Sequence, residues 1–76
     1  MSETTAESLK AEGNSLVGVK DWTGAAPKYN EAIALDSSQP AYHSNLALCY
    51  EKLNNLSAFK EAALRCIEVD PSFIKG

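Results

Sequence analysis

The sequence has little positive charge, one histidine, two cysteines, no long apolar run and almost no β-strand pattern. Each shortage narrows what the chain can be. Seven lysine and arginine residues stand against ten acidic ones, a formal net charge of −3. No broad cationic field is available to hold a phosphate backbone, so a nucleic-acid partner is not expected. The longest unbroken apolar run, Leu46 to Tyr50, is far short of the roughly 20 residues that span a bilayer, and no membrane span is expected either. Met1-Ser2-Glu3-Thr4-Thr5 is polar and acidic and lacks the positive and apolar regions of a secretory signal. A reducing, cytoplasmic setting is the expectation. There Cys49 and Cys66 are too few, and too deep within apolar segments, for a disulfide framework; they read as small buried hydrophobes.

Catalytic chemistry finds no support in the remaining residues. His43 is the only histidine, and six positions separate it from Cys49, which puts the two on different helix faces and leaves no nucleophile–base pair. His43 is expected as a partly exposed helix residue. No group of histidine, cysteine and carboxylate has metal-ligand spacing. The run Gly13 to Lys20 is similar in outline to a phosphate loop, but its lysine is displaced by one and no strand precedes it. Asn55-Leu56-Ser57 fits a glycosylation acceptor, which carries no weight without secretion. No catalytic residue, metal or cofactor is expected.

What is present is helical spacing in an ordinary globular composition, 45% hydrophobic and 22% charged, on a chain with room for one small core. Leu9, Leu16, Val17 and Val19 predict an amphipathic helix over about 5–18. After Lys20-Asp21, a second stripe runs through Trp22, Ala25, Ala26, Tyr29, Ala32, Ile33 and Leu35, ended by the turn formers Asp36 to Pro40. Pro40 suits the first turn of a third helix, about 40–53, carrying Tyr42, Leu46, Leu48, Cys49, Tyr50 and Leu53. Past Asn54-Asn55, a fourth helix, about 57–69, carries Phe59, Ala62, Ala63, Cys66, Ile67 and Val69. Ser72 is placed to cap a fifth that the chain does not complete. Pro27 conflicts with a start near Thr23, because it lacks a hydrogen bond to the preceding turn, so a late or distorted second helix is expected. Gly18 and Gly24 each weaken their helices by about 1 kcal/mol relative to alanine.

Sliding the chain against itself by 34 residues pairs Leu16 with Tyr50, Val19 with Leu53, Trp22 with Leu56, Ala32 with Cys66, Ile33 with Ile67, Leu35 with Val69 and Asp36 with Asp70. This helix-turn-helix period, with its markers Gly13, Leu16, Trp22, Ala25, Tyr29 and Ala32, then Ala47, Tyr50, Leu56, Ala63 and Pro71, resembles the tetratricopeptide repeat. The resemblance implies an all-α fold of two such repeats, four antiparallel helices forming a short right-handed α-solenoid. Residues 1–5 would be a tail, 6–39 the first repeat, 40–73 the second, and 72–76 the start of an incomplete further helix. The chain departs from the family pattern at Pro27, at Ser37 where proline is usual, and at Phe59 where a small residue is usual. A plain antiparallel bundle would share the helix count and short loops, but not the fixed period.

Lys10 and Asn14 lie four apart and so share one face of the first helix, the face such repeats turn toward their concave groove. Asn45 stands at the matching level of the third helix, and Lys75 at the start of the fifth. A subset of co-chaperones in this family clamps peptide carboxyl termini with such a set. Leu9-Lys10-Ala11-Glu12-Gly13-Asn14, Tyr42-His43-Ser44-Asn45 and Asp70-Pro71-Ser72-Phe73-Ile74-Lys75-Gly76 are similar to those proteins. The resemblance implies that Lys10 and Lys75 are charged donors to terminal carboxylates, that Asn14 and Asn45 contribute amides, and that Lys52 adds positive potential; Leu46 stands where an arginine is common. The implied partners are the acidic tails, of the Glu-Glu-Val-Asp type, of heat-shock protein 70 or heat-shock protein 90 class chaperones. A plainer reading leaves the lysines solvated and the asparagines incidental. The alternative function is a scaffold fragment that self-associates without peptide binding, through an uncovered face of the fourth helix at Ala62, Cys66, Ile67 and Val69, giving a weak homodimer. A small helical enzyme is a third, weaker reading, opposed by the missing acid–base pairs.

Overall fold

Polar side chains at the turns decide where the helices begin. A computed structural model of the chain describes residues 5–70, in which α1 spans Ala6–Gly18, α2 Trp22–Leu35, α3 Pro40–Lys52 and α4 Leu56–Val69. Thr5, assigned by sequence to a tail, caps α1: its hydroxyl accepts from the Ser8 N–H at 3.0 Å and its own N–H donates to Ser8 Oγ at 3.0 Å. Asp21 caps α2 by accepting from the Gly24 N–H at 3.0 Å, and Asn55 caps α4 by accepting from the Ala58 N–H at 3.4 Å. Proline at the first position starts α3. The expected fifth helix, with Ser72 and Lys75, lies outside the described residues, as does residue 71 and all that follows it.

The 34-residue period is written in the backbone. At the end of α1 the Lys20 N–H donates to Val17 O at 2.9 Å and the Asp21 N–H to Leu16 O at 2.8 Å; at the end of α3 the Asn54 N–H donates to Glu51 O at 3.0 Å and the Asn55 N–H to Tyr50 O at 2.9 Å. Both are Schellman closures, and each needs one residue in the left-handed region. Those residues are Lys20, φ 63°, and Asn54, φ 61°. The N-caps Asp21 and Asn55, and the C-caps Asp36 and Asp70, are related by the same 34-residue step. In the intervening turn Asp36 accepts from the Ser38 hydroxyl at 2.6 Å and the Ser38 N–H at 3.1 Å, bonds that hold its carboxyl below the usual carboxylate range.

Short connections make successive helices antiparallel, with α1 against α2, α2 against α3 and α3 against α4. The core is built mostly from small residues: Ala25, Ala26, Ala32, Ala47, Ala62, Cys49 and Cys66 are all buried. Backbones therefore approach closely, and the larger buried side chains, Leu9, Tyr29, Tyr42 and Leu46, fill what remains. The two cysteines are free thiols, as the sequence predicts; Cys66 Sγ donates to Pro40 O at 3.4 Å.

Two expectations need correction. The second helix does not start late: it runs from Trp22 through Pro27 without interruption. Pro27 removes the donor that would reach the Thr23 carbonyl, but Thr23 and Pro27 are both exposed, where a carbonyl open to solvent costs little, and the Asp21 cap fixes the start. His43 is buried at 6% exposure, not partly exposed. Its Nε2–H donates to the Ser37 carbonyl at 3.1 Å, which gives the ring a partner inside the fold.

Lys20 carries a side chain where a Schellman closure normally has glycine, at a cost of about 1 kcal/mol. Lys20→Gly is expected to raise stability by roughly 0.5–1 kcal/mol, a few degrees in melting temperature for a domain of this size. Thermal unfolding followed by circular dichroism measures it; an unchanged or lower midpoint would contradict the account of this turn.

Candidate functional site

Of the residues predicted for peptide binding, the described structure contains Lys10 and Asn14 on α1 and Asn45 and Lys52 on α3; Lys75 lies outside it. The register of the two helices is given by Tyr42, whose hydroxyl donates to Glu7 Oε1 at 3.5 Å. Helices α1 and α3 run in the same direction, each antiparallel to α2. Lys10 and Asn45 each lie three residues on from that contact along their own helices. Asn14 stands one further turn along α1. Lys52 is two turns beyond Asn45, roughly 10 Å away at 1.5 Å per residue, and exposed. It makes no ion pair among the described residues.

Two of these side chains already have partners. The Lys10 ammonium contacts Glu7 Oε2 at 3.1 Å, with the lysine side chain 29% exposed and the glutamate 75%. The positive charge thus meets a carboxylate before any ligand arrives, in an exposed pair worth at most about 1 kcal/mol. Asn14 Oδ1 accepts a short hydrogen bond from the Tyr29 hydroxyl of α2. Tyr29 is 1% exposed, and burial pushes its phenol up to about 12, so it is a donor throughout the physiological range.

Gly13 is what allows this contact. A Cβ built there would stand 2.8 Å from Tyr29 Cε1 and 2.9 Å from Cζ, so only glycine lets the ring lie against α1 beside Asn14. Glu12 on the adjoining turn binds the Lys28 ammonium at 3.1 Å, a second tie between the two helices.

Little else has the makings of a reaction centre. Burial pushes the Cys49 and Cys66 thiols up, away from the reactive thiolate. Among the described residues, no group of three or more histidine, cysteine or acidic side chains could hold a metal ion. Nor is any helix there long and apolar enough to cross a membrane. A cleft of about 270 Å³ between α2, α3 and α4 is lined by residues that include Asn30, His43, Tyr50 and Arg65; a second, of about 310 Å³, adjoins Leu9, Glu31, Ala34 and Leu35. Neither includes Lys10, Asn14, Asn45 or Lys52.

The predicted self-association residues divide. Ala62 and Cys66 are buried, at 5% and 0% exposure, and correct the expectation that they lie on an open face: they pack inward within the helical core. Ile67 and Val69 are exposed at 42% and 37%, joined by Leu64 at 50%, which sequence reading had not included.

Comparison with known proteins fits this geometry. A family model described as TPR repeat matches residues 13–54. The chain belongs to the tetratricopeptide-repeat family. Over 73 residues it is 40% identical to sperm-associated antigen 1 of Rattus norvegicus, covering 92% of this chain and 8% of that protein. It is 38% identical to Hsp70-Hsp90 organizing protein 3 of Arabidopsis thaliana, covering 96% and 13%. To small glutamine-rich tetratricopeptide repeat-containing protein 2 of Mycosarcoma maydis it is 36% identical, covering 93% and 20%. The chain therefore spans a fifth or less of these three relatives.

Sequence reading missed Glu7 and Tyr29 as neighbours of the site. Glu7 was within reach, three residues before Lys10 on a helix. Tyr29 required knowing that its ring opposes a glycine. Gly13→Ala tests that packing: helix propensity favours alanine, but overpacking against Tyr29 costs about 1–3 kcal/mol. A net loss of stability is expected, seen as a lower denaturant midpoint; a gain would show that the ring yields freely.

Proposed function

We propose that this tetratricopeptide-repeat domain is a peptide-binding adaptor module, not an enzyme, that holds acidic carboxyl-terminal tails of chaperones of the heat-shock protein 70 or 90 class in a cytoplasmic setting. The observation that supports this reading is the Tyr42–Glu7 contact between α3 and α1, from which Asn45 and Lys10 each lie three residues on, with Asn14 one turn further along α1. A terminal aspartate offers two carboxylates, and a lysine flanked by amide donors suits such a group because charge-assisted bonds contribute about 1.5–3 kcal/mol each. Names among the relatives, such as Hsp70-Hsp90 organizing protein, support the choice of partner. Lys75 completes the proposed set.

Glu7 enters this reading as the group a ligand displaces. Its carboxylate holds the Lys10 ammonium, so an arriving carboxylate exchanges one ion pair for another and gains only the difference. Calorimetric titration of a peptide ending in Glu-Glu-Val-Asp tests the proposal. Amidation of the peptide terminus and Lys10→Ala are each expected to weaken binding about 10-fold or more, and added salt to weaken it progressively. Glu7→Gln is expected to tighten it a few-fold. Equal affinity for the free and amidated peptides would sink the clamp.

A second reading, self-association, is favoured by the exposure of Leu64, Ile67 and Val69. The 34-residue step relates Ile67 to Ile33, which in the first repeat is half-buried and packed against the core. Head-to-tail stacking of copies is opposed by α1. The buried Tyr42, Leu46 and Cys49 of α3 correspond to Ser8, Glu12 and Ser15 on α1, so α1 offers no apolar stripe to cover α4. The remaining arrangement is symmetric, α4 on α4 of a second copy. Sedimentation over a wide concentration range is expected to show a weak dimer that Ile67→Glu abolishes; a monomer at every concentration rejects it.

A further inference from the structure

We propose that Tyr29 is a positioning residue for the peptide clamp: its hydroxyl, by occupying Asn14 Oδ1, turns the Asn14 Nδ2 donor outward to a ligand carboxylate. The inference rests on the clamp reading of Asn14 and goes beyond it, because the tyrosine belongs to α2 and is buried at 1% exposure.

An asparagine amide has an acceptor end and a donor end, and a half-turn about its last bond exchanges them. On an exposed helix surface nothing chooses between the two. An outward oxygen would repel a carboxylate, whereas an outward NH₂ binds it. The buried Tyr29 hydroxyl makes the choice. No other partner for it is found among the described residues, so its proton goes to Asn14 Oδ1, and both Nδ2 hydrogens are left without a protein partner. Since burial keeps the phenol protonated up to about pH 12, the orientation does not change over the physiological range.

The repeat supplies an internal control. The 34-residue step carries Gly13, Asn14 and Tyr29 onto Ala47, Leu48 and Ala63. Helices α3 and α4 pack against each other with none of the three. The hairpin therefore does not require a tyrosine–asparagine pair, and Gly13 is glycine only where a tyrosine ring lies over it. A feature present in one repeat and dispensable to the architecture of the other points to a task at that one place.

The test titrates the free-carboxylate Glu-Glu-Val-Asp peptide into the full chain and four variants. Asn14→Ala is expected to weaken binding about 10-fold, and Tyr29→Phe, which keeps the buried ring, about 3- to 10-fold. Adding Tyr29→Phe to Asn14→Ala is expected to cause no further loss, since the hydroxyl acts only through that amide. In the unliganded protein, Tyr29→Phe should also shift the Asn14 side-chain amide resonances. Asn14→Asp keeps an acceptor for Tyr29 but has no donor, and is expected to bind at least as poorly as Asn14→Ala; should Tyr29→Phe fold poorly, the Tyr29 ring resonances, expected to shift in Asn14→Ala, decide the matter, and no shift there overturns the contact. If Asn14→Ala weakens binding while Tyr29→Phe leaves it unchanged, or if Asn14→Asp binds normally, the positioning role is overturned. If Asn14→Ala has no effect, the clamp reading itself falls, and the inference with it.

Discussion

The contact between the Tyr29 ring and the bare backbone at Gly13 is the constraint on which the first repeat turns. It sets how closely α2 approaches α1, and it carries the hydroxyl to Asn14. A larger residue at 13 would push the helices apart, and a smaller one at 29 would leave a void in a core whose other members are mainly alanines and cysteines. With so few large side chains buried, each bears a disproportionate share of the packing. The same ring therefore governs both stability and the aim of a surface amide. Lys28 and Glu12 fix the register beside it from the solvent side, a weaker restraint because water screens that pair.

Electrostatics on the groove side are balanced, not strongly cationic. Lys10 is met by Glu7, Glu7 is also met by the Tyr42 hydroxyl, and Lys52 stands beside Glu51 in sequence at the far end of α3. In a chain with net charge −3, a lysine without such a neighbour would be a local exception. The pairing holds the Lys10 ammonium in place at little cost in desolvation, since Glu7 is mostly exposed. In the proposed clamp this resident carboxylate would set a threshold, since a ligand would have to offer Lys10 more than the ion pair it replaces. Under that proposal, discrimination by ligand charge would follow from the exchange, with no need for a deep pocket.

The helices were legible in the sequence because their ends are marked by short-range chemistry. Lys20-Asp21 and Asn54-Asn55 each close one helix and cap the next, and Pro40 can only begin one. Each of those signals acts within a few residues, and apart from the start of α2 the observed ends fall within one residue of the expected ones. What the sequence hid depends on neighbours distant along the chain. Pro27 reads as a disruption until its face is known to be solvent, where an unbonded carbonyl is cheap. His43 reads as a surface residue until the Ser37 carbonyl supplies a buried partner. Ala62 and Cys66 share a helix with Ile67 and Val69 and read as one stripe; packing divides them, two inward and two outward. Spacing puts Lys10 and Asn14 on one face of α1, but the partners that occupy them, Glu7 and Tyr29, do not follow from it.

Departures from the 34-residue symmetry are therefore more informative than the symmetry. Where both repeats agree, in caps, closures and the Ala32–Cys66 pair, the residues answer to the architecture alone. Where they differ, something other than packing within a hairpin has chosen the residue. Ser8, Glu12 and Ser15 stand where α3 has the buried Tyr42, Leu46 and Cys49, and none of the three is buried. Gly13, Asn14 and Tyr29 stand where the second repeat has Ala47, Leu48 and Ala63; Gly13 and Tyr29 are buried and Asn14 is exposed. The second hairpin has Phe59, packed against the core, where the first has Ala25, so Ala63 leaves no void there as an alanine at 29 would. The ring at 29 costs the first repeat a glycine in mid-helix, about 1 kcal/mol of propensity. A phenylalanine at 29 would need the same glycine, so what packing leaves unexplained is the Tyr29 hydroxyl and the exposed Asn14 amide that it meets.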